Sequence, residues 1–357
     1  MKGLIKMEDI RIDTHKLIFH PHTVSRWLAI GDNFPISLEV GLSSACNHRC
    51  VFCALDYTHF KPAYLDKTVL FENLKLLIKN GTRSVVYAGE GEPLLHKHFK
   101  EIIIKTKEIG LDIGLSTNGM LFNKDISDSC LQAFTWVRFS LNAGTEELYD
   151  KIHNPSKGGF NDVLQNIAYA VAVKKENRLN TTIGVQSLLL NENINEMLAL
   201  AVKLKEIGAD YFTIKPYSQN PNSINKFKDT MDYSNLSWLE NQLKALNTDN
   251  FKTYFRSHTM SNLNVERSYS VCHGIDFFMN IDASGNAMPC ILFLGNDKFY
   301  YGNLYEKNIE EIWNNRHAVT DKLKDMGIAN CREICRLHEI NKYLHELKNP
   351  GLHVNFI

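Results

Sequence analysis

Residues 36–53 read ISLEVGLSSACNHRCVFC. Residues 36–41 alternate apolar and polar side chains, which predicts a short strand. The strand runs straight into a loop with the spacing Cys46-x3-Cys50-x2-Cys53. Thiolates bind soft metals and iron–sulfur clusters. Three sulfurs within eight residues can reach three irons of a cubane from one loop. The fourth iron then has no protein ligand and stays open to a small chelate. The competing reading is a zinc site completed by His48 or His59, although zinc ribbons pair CxxC motifs and this spacing does not.

Outward from this stretch, short β-rich runs alternate with amphipathic helices. A helix over 67–80 places Leu70, Leu74, Leu77 and Ile78 on one face, and Asn80-Gly81 stops it. SVVYAG (84–89) follows. A helix near 97–109 stops at Gly110 and leads into LDIGLSTNG (111–119). WVRFSLNA (136–143) and TTIGVQSLLL (181–190) come next, and a helix near 194–207 stops at Gly208 before DYFTIKPY (210–217). Six strands alternating with helices predict an α/β fold with a parallel, helix-covered sheet. A partial (β/α)6 barrel and a doubly wound sheet share this signature. Both bind ligands at the C-terminal strand ends.

The pattern breaks after 217. SQNPNSINKFKDT (218–230) reads as a connection and 234–247 as a helix. DFFMNIDASGNAMPCI (276–291) reads as a hairpin turning at Ala283–Asn286, and helices are expected near 308–315 and 333–348. The expected division is an N-terminal extension (1–35), a barrel (36–225) and a small C-terminal module (226–357).

Side chains two apart on a strand share a face. Val137, Phe139 and Leu141 suit a helix layer, leaving Arg138, Ser140 and Asn142 inward. Ser116 with Asn118, Gly184 with Gln186, and Thr213 with Lys215 and Tyr217 likewise share faces. A polar inner face packs poorly and suits a ligand site.

Composition narrows the class. With 44% apolar and 22% charged residues, the 357-residue chain can bury a core, and Lys+Arg and Asp+Glu balance at 40 each. That balance gives no footprint for nucleic acid. No run of about 18 apolar residues predicts a membrane span. MKGLIKMEDIRIDTHK has no apolar signal segment. A cytoplasmic, thiol-reducing setting is therefore expected, and the eight cysteines read as ligands or core rather than disulfides. The pairs His20/His22 and His96/His98 read as surface residues, and His48 and Arg49 as placed by their loop.

The cysteine loop resembles that of the radical S-adenosylmethionine superfamily, CxxxCxφC, with Phe52 at the aromatic position. The resemblance implies that S-adenosylmethionine chelates the open iron of a [4Fe–4S] cluster. An electron supplied by a partner such as flavodoxin or ferredoxin then cleaves it to a 5′-deoxyadenosyl radical. Glu90-Gly91-Glu92-Pro93 resembles the family's Gly-Gly-Glu-Pro segment, which holds the methionine ammonium, but places Glu90 where glycine is usual. Ser116, Asn118, Ser140 and Gln186 match positions at which family members contact the cofactor.

Cys272-x17-Cys290, GNLYEKNIEEIW (302–313) and Cys331-x3-Cys335 resemble the auxiliary-cluster modules called SPASM and twitch. The chain lacks the additional cysteines of a full SPASM module. The shorter twitch type is implied, with one auxiliary [4Fe–4S] cluster on four thiolates; structural zinc competes. Cys130 remains, on a helical face with Ile126 and Phe134, as core. Similar twitch enzymes include a dehydrogenase of an aminocyclitol alcohol. By that analogy the expected activity is net oxidation of a small polar substrate such as a sugar, an aminocyclitol or a nucleotide sugar. Arg138, Lys215 and Tyr217 would line its cavity, and the auxiliary cluster would accept an electron. The alternatives are a maturase of ribosomal peptides and a non-enzymatic iron–sulfur sensor or carrier.

Overall fold

The computed structural model describes residues 14–226, 231–263 and 265–356. A first helix, α1 (Pro21–Ile30), precedes β1 (Ser37–Val40), the strand that feeds the cysteine loop. The other five expected strands form as β2 (Ser84–Tyr87), β3 (Asp112–Thr117), β4 (Trp136–Ser140), β5 (Thr182–Leu189) and β6 (Tyr211–Pro216). They pair in parallel and in sequential order. A doubly wound sheet would reverse its order at a switch point. This one does not, so it is a partial barrel.

The covering helices are α2 (Lys67–Lys79), α3 (Phe99–Ile109), α4 (Lys124–Cys130), α5 (Glu146–His153), α6 (Phe160–Glu176) and α7 (Met197–Ile207). Asp66 caps α2 by accepting from the Thr68 and Val69 backbone N–H groups, which satisfies two orphan donors of the first turn. Leu70, Leu74 and Leu77 are fully buried; Ile78 is only half-buried. They belong to the same buried core as the outward strand residues Leu38, Val85, Ile113, Val137, Phe139 and Val185, all at 0% exposure. Cys130 lies in the same core with Ile126 and Phe134.

The sheet continues beyond six strands in both directions. After α8 (Ser237–Lys244), β7 (Lys252–Phe255) adds parallel to β6 and leads into α9 (Ser257–Ser261). At the other edge, β8 (Phe278–Ile281) pairs parallel with β1 and turns into β9 (Asn286–Met288), which carries β10 (Gly302–Asn303). The hairpin at 276–291 therefore forms with its expected turn, but as part of one ten-stranded sheet ending at β10 and β7. Three helices close the chain: α10 (Ile309–Asn314), α11 (His317–Met326) and α12 (His338–Lys348). The helix expected from 333 starts only at His338, because 331–337 is irregular backbone bearing Cys331 and Cys335.

Part of the sequence read as an N-terminal extension is tied to the C-terminal residues. Val24 and Trp27 of α1 pack with Phe277 and Leu344, and the Trp27 indole N–H donates to Asp276 at 2.9 Å. Residues 1–13 and 227–230, which include the end of the expected connection, lie outside the described residues. A domain division at 35/36 and 225/226 remains a proposal, since β7 and β8, both beyond 225, share the barrel's sheet.

Candidate active site

The strand registers stack the inward residues into rows. Glu39, Val86, Gly114, Trp136 and Thr182 form one; Ser116, Arg138, Gly184 and Tyr211 the next; Ser140, Gln186, Thr213 and Tyr254 a third; Leu188 and Lys215 a fourth. On β4, Trp136, Arg138 and Ser140 are half-buried while Val137 and Phe139 are fully buried. That is the burial expected of a strand with one face on helices and one on an open interior. At Gly184 a Cβ would lie 2.1 Å from the Tyr211 ring, so glycine makes room for that ring inside the barrel.

At the C-terminal end of β1, the cysteine loop is pinned by α5 and the chain after it. The backbone N–H groups of Arg49 and Val51 donate to the carbonyls of Asn154 (3.0 Å) and Ile152 (3.0 Å), and Ser156 N–H donates to Asn47 O (2.9 Å). Two buried histidines fix it from within. The Asn118 amide donates to His48 Nδ1 (3.0 Å), so the His48 proton sits on Nε2 and points to the Tyr149 hydroxyl at 2.7 Å. His153 Nε2 accepts the Asn142 backbone N–H at 3.0 Å, which leaves the proton on Nδ1, 3.5 Å from the Cys50 sulfur. Burial lowers the pKa of His48 to about 4 and that of His153 to about 3, so both rings are neutral.

The Glu90–Pro93 segment packs directly under this loop. A Cβ on Gly91 would lie 2.3 Å from the Ala45 carbonyl oxygen and 2.4 Å from that of Ser43, both backbone atoms. Only glycine permits the approach. Glu92 N–H donates to Ala45 O at 2.8 Å. The Glu92 carboxylate is 1% exposed and accepts from Thr117 Oγ1 (2.7 Å), Asn118 N–H (2.8 Å) and Leu94 N–H (3.2 Å). Burial nevertheless raises its pKa to about 7. Glu90 turns toward the C-terminal hairpin, where its Oε1 accepts Ala283 N–H at 2.8 Å. Burial, then Asp282, raises it to about 7 as well.

The other expected cofactor contacts divide into two groups. Phe52 is buried with its ring edge-on to His153, and Asn118 spends its side chain on Asn47 and His48. Ser116, Ser140 and Gln186 are half-buried. Among the described residues their side chains make no protein hydrogen bond, so they are open to a ligand.

In the second cysteine group, Cys272 precedes β8 and Cys290 follows β9, both toward the N-terminal end of β1, while Cys331 and Cys335 flank Arg332, which is bonded to Ser218 beyond β6. Burial, then Cys335, with Cys290 and Cys331 adding, raises the Cys272 thiol far above its usual range. Burial, then Cys46 and Cys53, does the same for Cys50. Each group is therefore a set of buried thiols whose ionised forms would repel one another, so that ionising them together calls for a cationic partner such as an iron–sulfur core. Among the described residues no three His, Cys, Asp or Glu side chains converge on one point as ligands of a single ion would. Cubane ligands take different irons and need not converge. All eight cysteines are free thiols.

Comparison with known proteins agrees with both groups. The family described as "Radical SAM superfamily" matches residues 40–214, and an "Iron-sulfur cluster-binding domain" of SPASM type matches 272–336. The chain belongs to the radical S-adenosylmethionine superfamily. It is a radical SAM enzyme of the SPASM/twitch subgroup, with S-adenosylmethionine, a [4Fe–4S] cluster that binds it, and an auxiliary [4Fe–4S] cluster as cofactors. When bound, these supply a carbon-centred radical able to take a hydrogen atom from a substrate.

A S-adenosylmethionine-dependent nucleotide dehydratase from Flammeovirga pacifica is 27% identical over 245 residues, covering 64% of this chain and 81% of that protein. A probable GTP 3′,8-cyclase from Saccharolobus solfataricus is 27% identical over 190 residues, covering 50% of this chain and 60% of that one. The crystal structure of Streptococcus suis SuiB with its precursor peptide SuiA superposes with a TM-score of 0.65 at 20% identity, covering 85% of this chain and 71% of that one. This likeness shows the radical SAM fold alone.

In this radical SAM enzyme, Arg138 and Lys215 both enter the barrel. Arg138 lies with its guanidinium carbon 5.2 Å from the Trp136 ring centre, and its Nε has no hydrogen-bond partner. Burial, then Arg138, with Arg332, Arg336 and Arg256 adding, lowers the Lys215 pKa to about 7. Tyr217 donates to Asn225 Oδ1 at 2.8 Å and borders a cavity of about 670 Å³ with Tyr233, Phe255, Met260 and Glu333.

Several residues had no place in the sequence reading. Glu39 pairs with Arg336 at 2.5 Å, and Arg332 donates to the Ser218 carbonyl at 2.6 Å. Strand alternation in ISLEV could have placed Glu39 inward, but nothing local names its partner. Asp56 accepts from Ser223 Oγ and from the Ile224 and Asn225 N–H groups, tying 223–225 onto the cysteine loop, where Asn225 also donates to Cys53 O at 2.6 Å. His96, expected at the surface, is 5% exposed and bonded to Leu65 O.

Proposed function

We propose that this radical SAM enzyme oxidises a small polar substrate held inside the barrel, with the auxiliary cluster taking the second electron. The observation that carries the reading is where the Cys331–Cys335 segment sits. Arg332 is bonded to Ser218 just beyond β6, the Ser218 hydroxyl donates to Ile334 O at 3.4 Å, and Arg336 is paired to Glu39 of β1. The segment carrying two auxiliary-cluster ligands is thus fastened to the barrel at two points, the inner face of β1 and the chain just beyond β6. Removing a hydrogen atom from carbon leaves a radical that must lose one more electron to become a closed-shell oxidised product. A fully thiolate-ligated cluster held against the barrel is a suitable acceptor, since its potential is tunable by its surroundings.

On this reading Arg138, Lys215 and Tyr217 meet the substrate. Ser116, Ser140, Gln186 and the Glu90–Pro93 segment meet S-adenosylmethionine. Cys46, Cys50 and Cys53 hold the first cluster, and Cys272, Cys290, Cys331 and Cys335 the second. Among the described residues no helix is long and apolar enough to cross a membrane. A cytoplasmic setting with a flavodoxin- or ferredoxin-type reductant fits a thiol-ligated, oxygen-sensitive site.

The test removes the auxiliary cluster. Cys331→Ala with Cys335→Ala should retain 5′-deoxyadenosine formation and lose the oxidised product, with circular dichroism matching the parent. A folded variant that still yields full product would place the cluster in a structural role. It would also move the reaction toward a redox-neutral rearrangement or epimerisation.

A further inference from the structure

The fold gathers cations inside the barrel, and most are accounted for. Arg336 has Glu39, and both Arg332 and Arg336 lie near Cys290 and Cys335, ligands expected for the auxiliary cluster. Arg256 has a partner of its own. Arg138 and Lys215 are different. Among the described residues neither pairs with a carboxylate. Arg138 lies by the Trp136 ring with its Nε unpartnered, the Glu39 carboxylate that acts on it is already paired with Arg336, and among the described residues Lys215 makes no hydrogen bond. A charge largely withdrawn from water without a counter-charge is costly, so two of them on one inner face point to a missing anion.

Resting on the oxidation reading above, we infer that the substrate carries a phosphoryl group seated on Arg138 and Lys215. Charge and geometry favour that group. The two residues lie on inner faces of β4 and β6, on either side of β5, with Lys215 two rows further along the strands than Arg138 and Gln186 in the row between. Both side chains are long enough to reach one anion held between their rows. A phosphoryl group carries about −1.5 to −2 near pH 7, matching two cations, whereas one carboxylate leaves a cation unpaired. The guanidinium can take two phosphoryl oxygens as a fork, and the ammonium supplies a point charge. Trp136 beneath the guanidinium holds its plane without competing for its N–H donors.

The test is calorimetric titration of the cluster-reconstituted protein, with S-adenosylmethionine present, using orthophosphate and malonate as probes. Orthophosphate should bind, and Arg138→Met or Lys215→Met should each weaken it by about tenfold or more, the loss of one charge-assisted hydrogen bond. Arg138→Lys and Lys215→Arg should keep most of the affinity, which separates charge loss from misfolding. Malonate bearing the same charge on two centres should bind more weakly. Equal or tighter malonate binding would overturn the phosphoryl assignment, and so would orthophosphate binding that neither Met variant changes. No binding of either probe would overturn the anion seat. None of these outcomes depends on the auxiliary cluster, so failure here is distinct from failure of the electron-acceptor reading.

Discussion

Glu92→Gln isolates the chemistry of the Glu90–Pro93 segment. The wild-type carboxylate accepts from Thr117 Oγ1, Leu94 N–H and Asn118 N–H, two on Oε1 and one on Oε2. An amide can keep its oxygen toward Thr117 and Leu94, but its NH2 group then faces the Asn118 N–H, donor against donor. A buried donor left unsatisfied costs about 1–3 kcal/mol, so the variant should unfold at lower denaturant with an unchanged m-value. The same change removes the negative charge available to the methionine ammonium. A charge-assisted bond of about 1.5–3 kcal/mol corresponds to about 10- to 150-fold in affinity. Calorimetric titration with S-adenosylmethionine, on protein whose iron content matches the parent, reads the second effect. Unchanged affinity would refute the reasoning and leave the ammonium to backbone carbonyls or to Glu90.

Further outcomes follow from the same geometry. Anaerobically reconstituted protein should hold about eight irons, and Cys46→Ala, Cys50→Ala and Cys53→Ala together should leave about four; saturation at four in the parent would contradict two clusters. Gly91→Ala should prevent assembly of the first cluster while sparing the second, because the Cβ collides with the Ser43 and Ala45 carbonyls; a normal first-cluster EPR signal would count against it. His153→Phe removes the Nδ1–H facing Cys50 and should lower the first cluster's potential, while His153→Asn, which retains a donor near that position, should restore it; redox titration followed by EPR decides. Finally, Lys215 has a lowered pKa near 7, so without an anion the folded protein binds fewer protons than the unfolded chain between about pH 7 and 10.5. Its contribution to stability rises with pH through that window. Added sulfate should therefore raise the melting temperature more at pH 6.5 than at pH 9, a difference lost in Lys215→Met.

The barrel was legible because its strands announce themselves by alternation and its helices by glycine stops: α3 and α7 end at Gly110 and Gly208 as read. β7 was not, since KTYF (252–255) is short and becomes a strand only by pairing with β6. Nor could local pattern show that β8 lies parallel against β1, a contact between residues more than two hundred positions apart. Both cysteine groups and the inward placement of Arg138, Ser140 and Lys215 follow from spacing and alternation. The roles of His153, Asp56 and the Glu39–Arg336 pair do not, because each depends on a partner brought by the tertiary fold. Asn118 shows the converse. Its face was read as ligand-binding, yet its side chain is spent on positioning the cysteine loop.

On the proposed reading, substrate oxidation passes its second electron to the auxiliary cluster. Freeze-quenched EPR of a single turnover tests it most directly. The reconstituted enzyme would be given S-adenosylmethionine, one reducing equivalent and a phosphorylated substrate candidate that supports 5′-deoxyadenosine formation. A reduced-cluster signal should grow with product and disappear in Cys331→Ala with Cys335→Ala. Oxidised product accumulating while the auxiliary cluster stays oxidised throughout would contradict it.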